Sequence, residues 1–425
     1  MECYKVTGNN KLKGLLQIQG SKNAALPILT ACLLGDGIIY LQHCPDITDI
    51  FLSEEMLRFM GVKIKKQNDI TELDAREVSF CGLEGHLAKQ MRSSVLFLGA
   101  MIGRFGIAKV PYPGGCRIGK RPIDIHLFAF QQLGIRIQED GGEILAKGYP
   151  TGGRVCLPFP SVGATQNIML ASMGAKADVV IEHAAKEPEI WHLAEFLNRC
   201  GASIEGAGTE TIRISAGKRL HGCTYKIPGD RIVAGTYLIA ACATKGSIAI
   251  KGALCKELGG LIAELEKRGS SIFCEEDVIY LEQKKRAYAG MIETAPYPGF
   301  PTDLQSAMTV LSSVSDGDSK VVETIFENRF GIVNQLINMN AAIRYQGKNA
   351  ILIRGRKNLD GARVYSGDLR QGAALIVAGL VANGETIVYD KGYIKRGYED
   401  IAHDICSLGG SVRLEKERID EKIQY

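Results

Sequence analysis

Residues 193–204, LAEFLNRCGASI, show one copy of the pattern on which the architecture is built. Counted from Ile190, their apolar residues recur at the i, i+3, i+4 and i+7 spacing of a helix that buries one face. Gly201 follows, and glycine ends helices readily because it adopts the left-handed carboxyl cap without strain. The segment therefore predicts an amphipathic helix, a glycine turn and a strand.

The same pattern occurs six times, which predicts a repeat protein. The other copies are residues 56–64, 128–137, 261–273, 333–343 and 401–412. The turn residues are Gly61, Gly134, Gly201, Gly269, Asn340 and Gly409, spaced 67 to 73 residues apart. Each copy alternates with an almost wholly apolar helix, a turn and a strand, at residues 24–41, 95–110, 168–181, 237–250, 308–322 and 373–388. Because these helices lack a polar face, we expect them to lie inside a core.

Repeats of about 70 residues are too small to bury an apolar helix alone, so they are expected to cluster three by three around two cores. We place the boundary between the two domains at residues 228–230. Counting core helices leaves it open which half includes the first strand, at residues 12–20.

The composition excludes several classes of protein. The 425 residues are 46% hydrophobic and 23% charged, which predicts a globular chain, and the net charge of +4 is too small for a general nucleic-acid-binding surface. No apolar run approaches the ~18 residues of a membrane span, and the polar amino terminus does not read as a signal peptide, so we expect a cytoplasmic protein. The 12 Cys show no Cys-x-x-Cys spacing, which argues against a disulfide framework and a zinc site.

Polar residues stand at the start of every apolar helix, at 21–23, 92–94, 161–165, 230–231, 302–303 and 367–370. Helix amino termini offer free N–H groups and partial positive charge, so these clusters are expected to bind anions if they meet in one cleft. Helix capping is the alternative, and we favour it for Ser93 and Asp230. Capping does not require a cation, so Lys22 and Arg370 are better explained as anion ligands.

Residues 111–124, PYPGGCRIGKRPID, combine three Gly, three Pro and three cations around Cys116. Such a segment does not form a core strand or helix, and it predicts an exposed loop that covers a ligand. The neighbouring cations favour the thiolate of Cys116, so this thiol is expected to be reactive.

Taken together, eight motifs carry a resemblance. They are SKNAALP at 21–27, PGGC at 113–116, RPID at 121–124, SVGAT at 161–165, FPTD at 300–303, FENRF at 326–330, DLR at 368–370 and RGYE at 396–399. In this order they resemble the UDP-N-acetylglucosamine 1-carboxyvinyltransferases of the EPSP synthase superfamily, over essentially the whole chain. The resemblance implies an α/β fold, the two-domain inside-out α/β barrel, with three repeats in each domain. It also implies one domain at 21–228 carrying the Cys116 loop, a second at 1–20 and 229–425, and an active site in the cleft between them.

The family transfers the enolpyruvyl group of phosphoenolpyruvate to the 3-hydroxyl of UDP-N-acetylglucosamine, releases phosphate, and begins peptidoglycan precursor synthesis. The resemblance implies small-molecule substrates, no metal or organic cofactor, and no nucleic-acid or membrane partner. It assigns Cys116 as proton donor, Asp303 as the base for the sugar hydroxyl, and Lys22 and Arg396 as further catalytic residues. The phosphoenolpyruvate ligands it implies are Lys22, Asn23, Arg121 and Arg396, with Arg329 and Arg370 at the carboxylate.

For the nucleotide sugar the resemblance implies Asn23, Arg92, Arg121, Pro122, Ile123, Asp124, Ile125, Ser161, Val162, Gly163, Asp303 and Ile325. One departure is Phe159, where some family members carry a Lys that contacts the diphosphate. Glu327 and Asp368 are expected either to orient neighbouring arginines or to form structural salt bridges. Two alternatives stay open: an enolpyruvyl transferase acting on shikimate 3-phosphate, and a non-catalytic paralogue that binds UDP-N-acetylglucosamine.

Overall fold

The computed structural model describes residues 1–114 and 123–417. They form two compact units. The first unit lies within residues 20–228, and the second consists of residues 1–19 and the chain from residue 229 onward. Each unit has its own hydrophobic core. Within the described residues, no helix combines the length and the hydropathy needed to cross a bilayer.

The chain begins with two strands that belong to the second unit, β1 (Glu2–Thr7) and β2 (Lys13–Gln17). The helices of the first unit follow: α1 (Lys22–Ala31), α2 (Thr48–Phe59), α3 (Gly85–Ala88), α4 (Leu96–Phe105), α5 (Asp124–Gln132), α6 (Val162–Ala171) and α7 (Pro188–Arg199). Its strands are β3 (Ile38–Gln42), β4 (Lys63–Gln67), β5 (Ile70–Asp74), β6 (Ile107–Pro111), β7 (Arg136–Asp140), β8 (Glu143–Lys147), β9 (Gly153–Cys156), β10 (Val179–Glu182), β11 (Ile204–Glu205), β12 (Thr211–Ile214) and β13 (Thr224–Lys226).

The rest of the second unit has the same kinds of element. Its helices are α8 (Arg231–Ala243), α9 (Gly259–Lys267), α10 (Gln305–Val314), α11 (Ile332–Asn338), α12 (Leu369–Leu380) and α13 (Ile401–Ser407). Its strands are β14 (Ser247–Lys251), β15 (Ser271–Glu275), β16 (Val278–Glu282), β17 (Met291–Glu293), β18 (Asp318–Val322), β19 (Ala342–Tyr345), β20 (Ala350–Arg354), β21 (Leu359–Asp360), β22 (Arg363–Tyr365), β23 (Ala382–Asn383), β24 (Glu385–Asp390) and β25 (Ser411–Lys416).

The apolar helices form the centre of each unit, as the sequence predicts. In the first unit α4 packs against both α1 and α6, and in the second α8, α10 and α12 pack against one another. Every residue of α10 and α12 is buried, which agrees with the absence of a polar face. Sheets lie outside these helices, in the orders β13-β3-β5-β4, β6-β8-β7 and β11-β12-β10-β9 in the first unit, and β15-β16-β14-β2, β17-β18-β20-β19 and β22-β24-β1-β25 in the second. The predicted fold class is confirmed.

The six turn residues that define the repeat all have left-handed backbone geometry. Their φ values run from 66° at Asn340 to 102° at Gly201. The predicted caps are therefore confirmed at every copy. Asn340 is the one non-glycine residue of the six, and asparagine tolerates this conformation better than most residues.

The second repeat of the chain departs from the common pattern. In the other repeats a strand precedes the apolar helix, whereas the short helix α3 stands in that place before α4. The sheet of this repeat consequently has three strands, with β6 at one edge. The segment of residues 115–122 continues from β6 and lies outside the described residues.

One expectation from the cysteine spacing is wrong. Cys255 and Cys274 form a disulfide between the short turn before α9 and strand β15. They are 19 residues apart, and the sequence carries no local motif that reveals the pairing. The bridge forms because folding brings the turn beside the strand. Cys200 and Cys223 also lie close, with 3.1 Å between their sulfur atoms.

Candidate active site

Asp303 is held by two arginines in the second unit. Its Oδ1 lies 2.8 Å from Nη2 of Arg329, and its Oδ2 lies 2.9 Å from Nη2 of Arg370. Asp303 belongs to a 3-10 turn, Thr302–Leu304, whose cap residue is Pro301. Capping therefore does not explain this aspartate. Folding gathers residues that are 26 and 67 positions apart in the chain.

The two arginines are deeply buried but are not saturated with hydrogen bonds. Their side chains are 1% and 7% exposed for Arg329 and Arg370. Among the described residues, Nε of Arg329 and Nη1 of Arg370 have no hydrogen-bond partner. Burial is the largest single influence on Arg370 and lowers its pKa, but the charges of Asp303, Tyr398 and Asp230 and the hydrogen bond to Asp303 together raise that pKa above its ordinary value. Both side chains can therefore accept a further anion.

Arg370 is placed by the start of its helix. Oδ1 of Asp368 accepts hydrogen bonds from the backbone N–H groups of Arg370 and Gln371, so Asp368 caps α12 and orients the backbone of Arg370. Arg396 lies in the 3-10 turn Ile394–Arg396, which packs against α12. Oδ2 of Asp390 accepts from the N–H of Ile394 at 3.2 Å and anchors this turn.

Glu323 is a residue that sequence reasoning missed. It is 2% exposed, and its Oε1 accepts hydrogen bonds from the N–H groups of Ile325 at 2.8 Å and Phe326 at 3.0 Å. Its Oε2 accepts from the hydroxyl of Thr302 at 2.9 Å. Glu323 thus joins the turn beside Asp303 to the segment of Ile325. No motif could indicate this, because the residue lies just before FENRF and looks like a strand end. Glu327, within that motif, is exposed, and the described residues include no ion pair with it.

The first unit carries a second set of predicted residues, at the start of α1. The hydroxyl of Ser21 accepts the N–H of Ala24 and caps the helix. Lys22 and Asn23 come next, both partly exposed. Nζ of Lys22 lies 2.7 Å from Oδ2 of Asp49, whose side chain is only 4% exposed. Asp49 is a second residue that the sequence did not reveal, since it lies on α2, 27 positions away.

The start of α6 lies in the same unit. The hydroxyl of Ser161 accepts the N–H of Ala164, and Val162 and Gly163 form the first turn, partly exposed. The first N–H groups of a helix have no partner within it. Ile123, Asp124 and Ile125 occupy the start of α5, and Arg92 opens the 3-10 turn Arg92–Val95 before α4.

Of the two capping predictions, one is wrong and one is confirmed. Ser93 does not cap a helix, because Met91 holds the cap position of its turn and makes no side-chain cap. Asp230 does cap α8, through the N–H groups of Ile232 and Val233. Three predicted site residues, Cys116, Arg121 and Pro122, lie outside the described residues.

Comparison with known proteins gives a family match over most of the chain. The family of EPSP synthase (3-phosphoshikimate 1-carboxyvinyltransferase) matches residues 6–405. The chain belongs to the EPSP synthase family. A protein of Finegoldia magna described as UDP-N-acetylglucosamine 1-carboxyvinyltransferase is 44% identical over 423 residues, which cover 98% of this chain and 100% of that one. A protein of Caldanaerobacter subterraneus subsp. tengcongensis, described as UDP-N-acetylglucosamine 1-carboxyvinyltransferase 2, is 43% identical over 97% of this chain and 99% of its own length.

Two solved structures share the fold of this chain. The enolpyruvyl transferase NikO of Streptomyces tendae superposes with a TM-score of 0.87 at 20% identity, covering 97% of this chain and 98% of that one. An EPSP synthase of Acinetobacter baumannii gives a TM-score of 0.76 at 16% identity, covering 98% of this chain and 100% of its own. The enzyme resembles the named UDP-sugar relatives far more closely in sequence than it resembles these two.

Proposed function

We propose that this enzyme transfers the enolpyruvyl group of phosphoenolpyruvate to the 3-hydroxyl of UDP-N-acetylglucosamine and releases phosphate. The near-full-length identity of 42–44% to relatives described as UDP-N-acetylglucosamine 1-carboxyvinyltransferases supports this acceptor. The observation that carries the chemistry is the pairing of Asp303 with Arg329 and Arg370. It puts a carboxylate able to accept a proton beside two guanidinium groups able to hold an anion.

We assign the roles residue by residue. Arg329 and Arg370 bind the carboxylate of phosphoenolpyruvate, while Lys22, Asn23, Arg121 and Arg396 surround its phosphate. Cys116 protonates carbon 3 as the sugar oxygen attacks carbon 2, and Asp303 accepts the hydroxyl proton. The tetrahedral adduct then loses phosphate and a proton from carbon 3, which gives the enol ether. Asn23, Arg92, Arg121 to Ile125, Ser161 to Gly163, Asp303 and Ile325 bind the nucleotide sugar.

The ion pairs with Arg329 and Arg370 hold the carboxylate of Asp303 in a defined position before substrate binds. Without substrate, its two oxygens occupy one N–H of each arginine. A substrate carboxylate has the same shape and charge, and the buried N–H groups on Arg329 and Arg370 offer it further donors. Binding of that carboxylate weakens the hold on Asp303 and makes its lone pairs available to the sugar hydroxyl.

Turnover with the two substrates tests the proposal. Purified protein is incubated with phosphoenolpyruvate and UDP-N-acetylglucosamine, phosphate release is followed, and the product is identified by mass spectrometry. Shikimate 3-phosphate replaces the UDP-sugar in a parallel reaction. We expect one phosphate per enolpyruvyl-UDP-sugar formed and no reaction with shikimate 3-phosphate. Binding of UDP-N-acetylglucosamine without turnover would favour the non-catalytic alternative, and reaction with shikimate 3-phosphate alone would overturn the acceptor.

This activity places the enzyme at the first committed step of peptidoglycan precursor synthesis. We accordingly propose a cytoplasmic enzyme that supports cell-wall growth, cell shape and division. We also propose that it is a target of fosfomycin through Cys116.

A further inference from the structure

His126 is a buried histidine that the proposed mechanism does not use. It lies on α5 directly after Ile125, and it is 8% exposed. Its Nδ1 lies 2.8 Å from Nδ2 of Asn167, a fully buried residue of α6. The two residues are 41 positions apart, so the contact is made by the packing of α5 on α6.

The partners of Asn167 fix the direction of this hydrogen bond. Its Oδ1 accepts the N–H of Gly99 at 2.9 Å, and its Nδ2 donates to the carbonyl oxygen of Val95 at 3.0 Å. These contacts fix which end of the amide faces His126. Because Nδ2 can only donate, Nδ1 of His126 must accept. The neutral imidazole then carries its proton on Nε2.

The charge state agrees with this tautomer. Burial, and then the charge of Arg92, lower the pKa of His126 to about 3. The ring is therefore neutral at physiological pH, and its Nε2–H is a donor.

The donor edge of the ring lies at the start of α6. A Cβ built on Gly163 would lie 3.0 Å from Cε1 and 3.2 Å from Nε2 of His126, so the ring edge lies against the first turn of the helix. Among the described residues, none forms a hydrogen bond with Nε2. A donor without a hydrogen-bond partner among the described residues, beside the N–H groups of a helix start, suits an anionic oxygen.

We propose that Nε2–H of His126 donates a hydrogen bond to an oxygen of the diphosphate of the nucleotide sugar, at the start of α6. This inference rests on the proposed function. Three contributions act together at this place: the imidazole N–H, the helix N–H groups at Val162 and Gly163, and the positive charge of Arg92. Phe159, two residues before Ser161, offers no charge, so a neutral donor supplies part of what a lysine there would supply.

Two substitutions of His126 separate its two ring nitrogens. His126→Asn retains an acceptor near Nδ1 and loses the donor near Nε2, while His126→Gln places an amide N–H close to Nε2. Binding of UDP and of UDP-N-acetylglucosamine is measured by calorimetry without phosphoenolpyruvate. We expect His126→Asn to weaken both ligands about 10-fold or more, and His126→Gln to stay within about 3-fold of the wild type, as for a hydrogen bond to a charged group.

The outcomes are distinct. Wild-type affinity in His126→Asn, with the wild-type protein binding UDP-N-acetylglucosamine, would overturn the role of His126 and leave the proposed function standing. If His126→Asn bound UDP-N-acetylglucosamine more weakly than the wild type but bound UDP equally well, the assignment of His126 to the diphosphate would be overturned. Failure of the wild-type protein to bind either ligand would overturn the proposed function as well.

A spectroscopic measurement keeps the inference testable if a variant folds poorly. In wild-type protein with ¹⁵N-labelled histidine, we expect His126 to give the signature of the Nε2–H tautomer. Addition of UDP should shift its Nε2–H resonance. An Nδ1–H tautomer, or a resonance that UDP leaves unchanged, would contradict the proposal.

Discussion

Oδ2 of Asp303 lies 2.9 Å from Nη2 of Arg370. A residue that we propose as the base is therefore ion-paired with a residue that we propose to bind substrate. Under these proposed roles, Asp303 becomes available to accept a proton when a substrate carboxylate takes its place at Arg370.

Asp303→Asn should lower turnover and at the same time strengthen binding of phosphoenolpyruvate. Asparagine cannot act as the base, so we expect a rate at least ~10²-fold lower. It also removes the negative charge that competes for Arg329 and Arg370, so phosphoenolpyruvate should bind several-fold more tightly to the variant saturated with UDP-N-acetylglucosamine. Single-turnover kinetics and calorimetry measure the two effects. Weaker binding of phosphoenolpyruvate would contradict the proposal that the substrate competes with Asp303 for the two arginines. A normal rate would contradict the assignment of Asp303 as the base.

Replacing Glu323 should affect the nucleotide sugar more than phosphoenolpyruvate. Glu323→Ala leaves the N–H groups of Ile325 and Phe326 without their acceptor, so we expect the KM for UDP-N-acetylglucosamine to rise about 10-fold and stability to fall by about 1–3 kcal/mol. Glu323→Gln keeps an acceptor and can still contact Thr302. It is the matched control and should stay near wild type. If the two variants had equal effects, the negative charge of Glu323, and not its hydrogen bonds to the turn, would be the property that the site requires.

The ion pair of Lys22 and Asp49 allows stability and activity to be separated. Lys22→Met leaves the buried carboxylate without this partner and should destabilise the protein by about 3–5 kcal/mol. The double substitution Lys22→Met with Asp49→Leu replaces the pair by apolar side chains and should recover most of that stability. Turnover should remain absent in both. Activity in the double variant would show that Lys22 has only a structural role.

His126 should make the protein sensitive to acid even without ligand. Burial lowers the pKa of His126 to about 3 in the folded protein, from the 6.5 of an ordinary histidine, so the folded state binds the proton less readily than the unfolded state. This stabilising contribution is complete above about pH 6.5 and is lost as the pH falls toward 3. Denaturation at several pH values should give wild-type protein a steeper loss than His126→Gln, by up to about 1.4 kcal/mol per pH unit. Parallel curves for the two proteins would disprove this effect.

Cys116 should be the thiol that fosfomycin alkylates. Its neighbours in sequence, Arg117 and Lys120, favour the thiolate. Cys156 and Cys406 are free and exposed, so they serve as internal controls for simple accessibility. Peptide mapping after inactivation should find the label on Cys116. Label on Cys156 or Cys406 together with full loss of activity would rule out the assignment.

The features that could be predicted from the sequence are local or periodic. The turn residues from Gly61 to Gly409 could be predicted because a left-handed cap depends on the type of residue at that position. The apolar helices could be predicted because their sequences lack a polar face. The resemblance to a known family supplied the candidate residues and their roles.

Contacts between distant residues could not be predicted. The bridge from Asp303 to Arg370, the support of Lys22 by Asp49, and the Cys255–Cys274 disulfide all arise from packing of separate repeats or elements. His126 follows the RPID motif closely, but its tautomer depends on Asn167 in another helix. No spacing rule connects those two residues.

The position of strand β1 in its sheet determines when the second unit can finish folding during synthesis. This strand lies between β24 and β25 in its sheet, so residues made first must wait for partners made last. The first unit lies within residues 20–228 and can fold while the ribosome is still translating, whereas the second is completed only after residue 416 has emerged. Until then at least one hydrogen-bonding edge of β1 has no partner strand, which leaves this strand open to pairing with other chains.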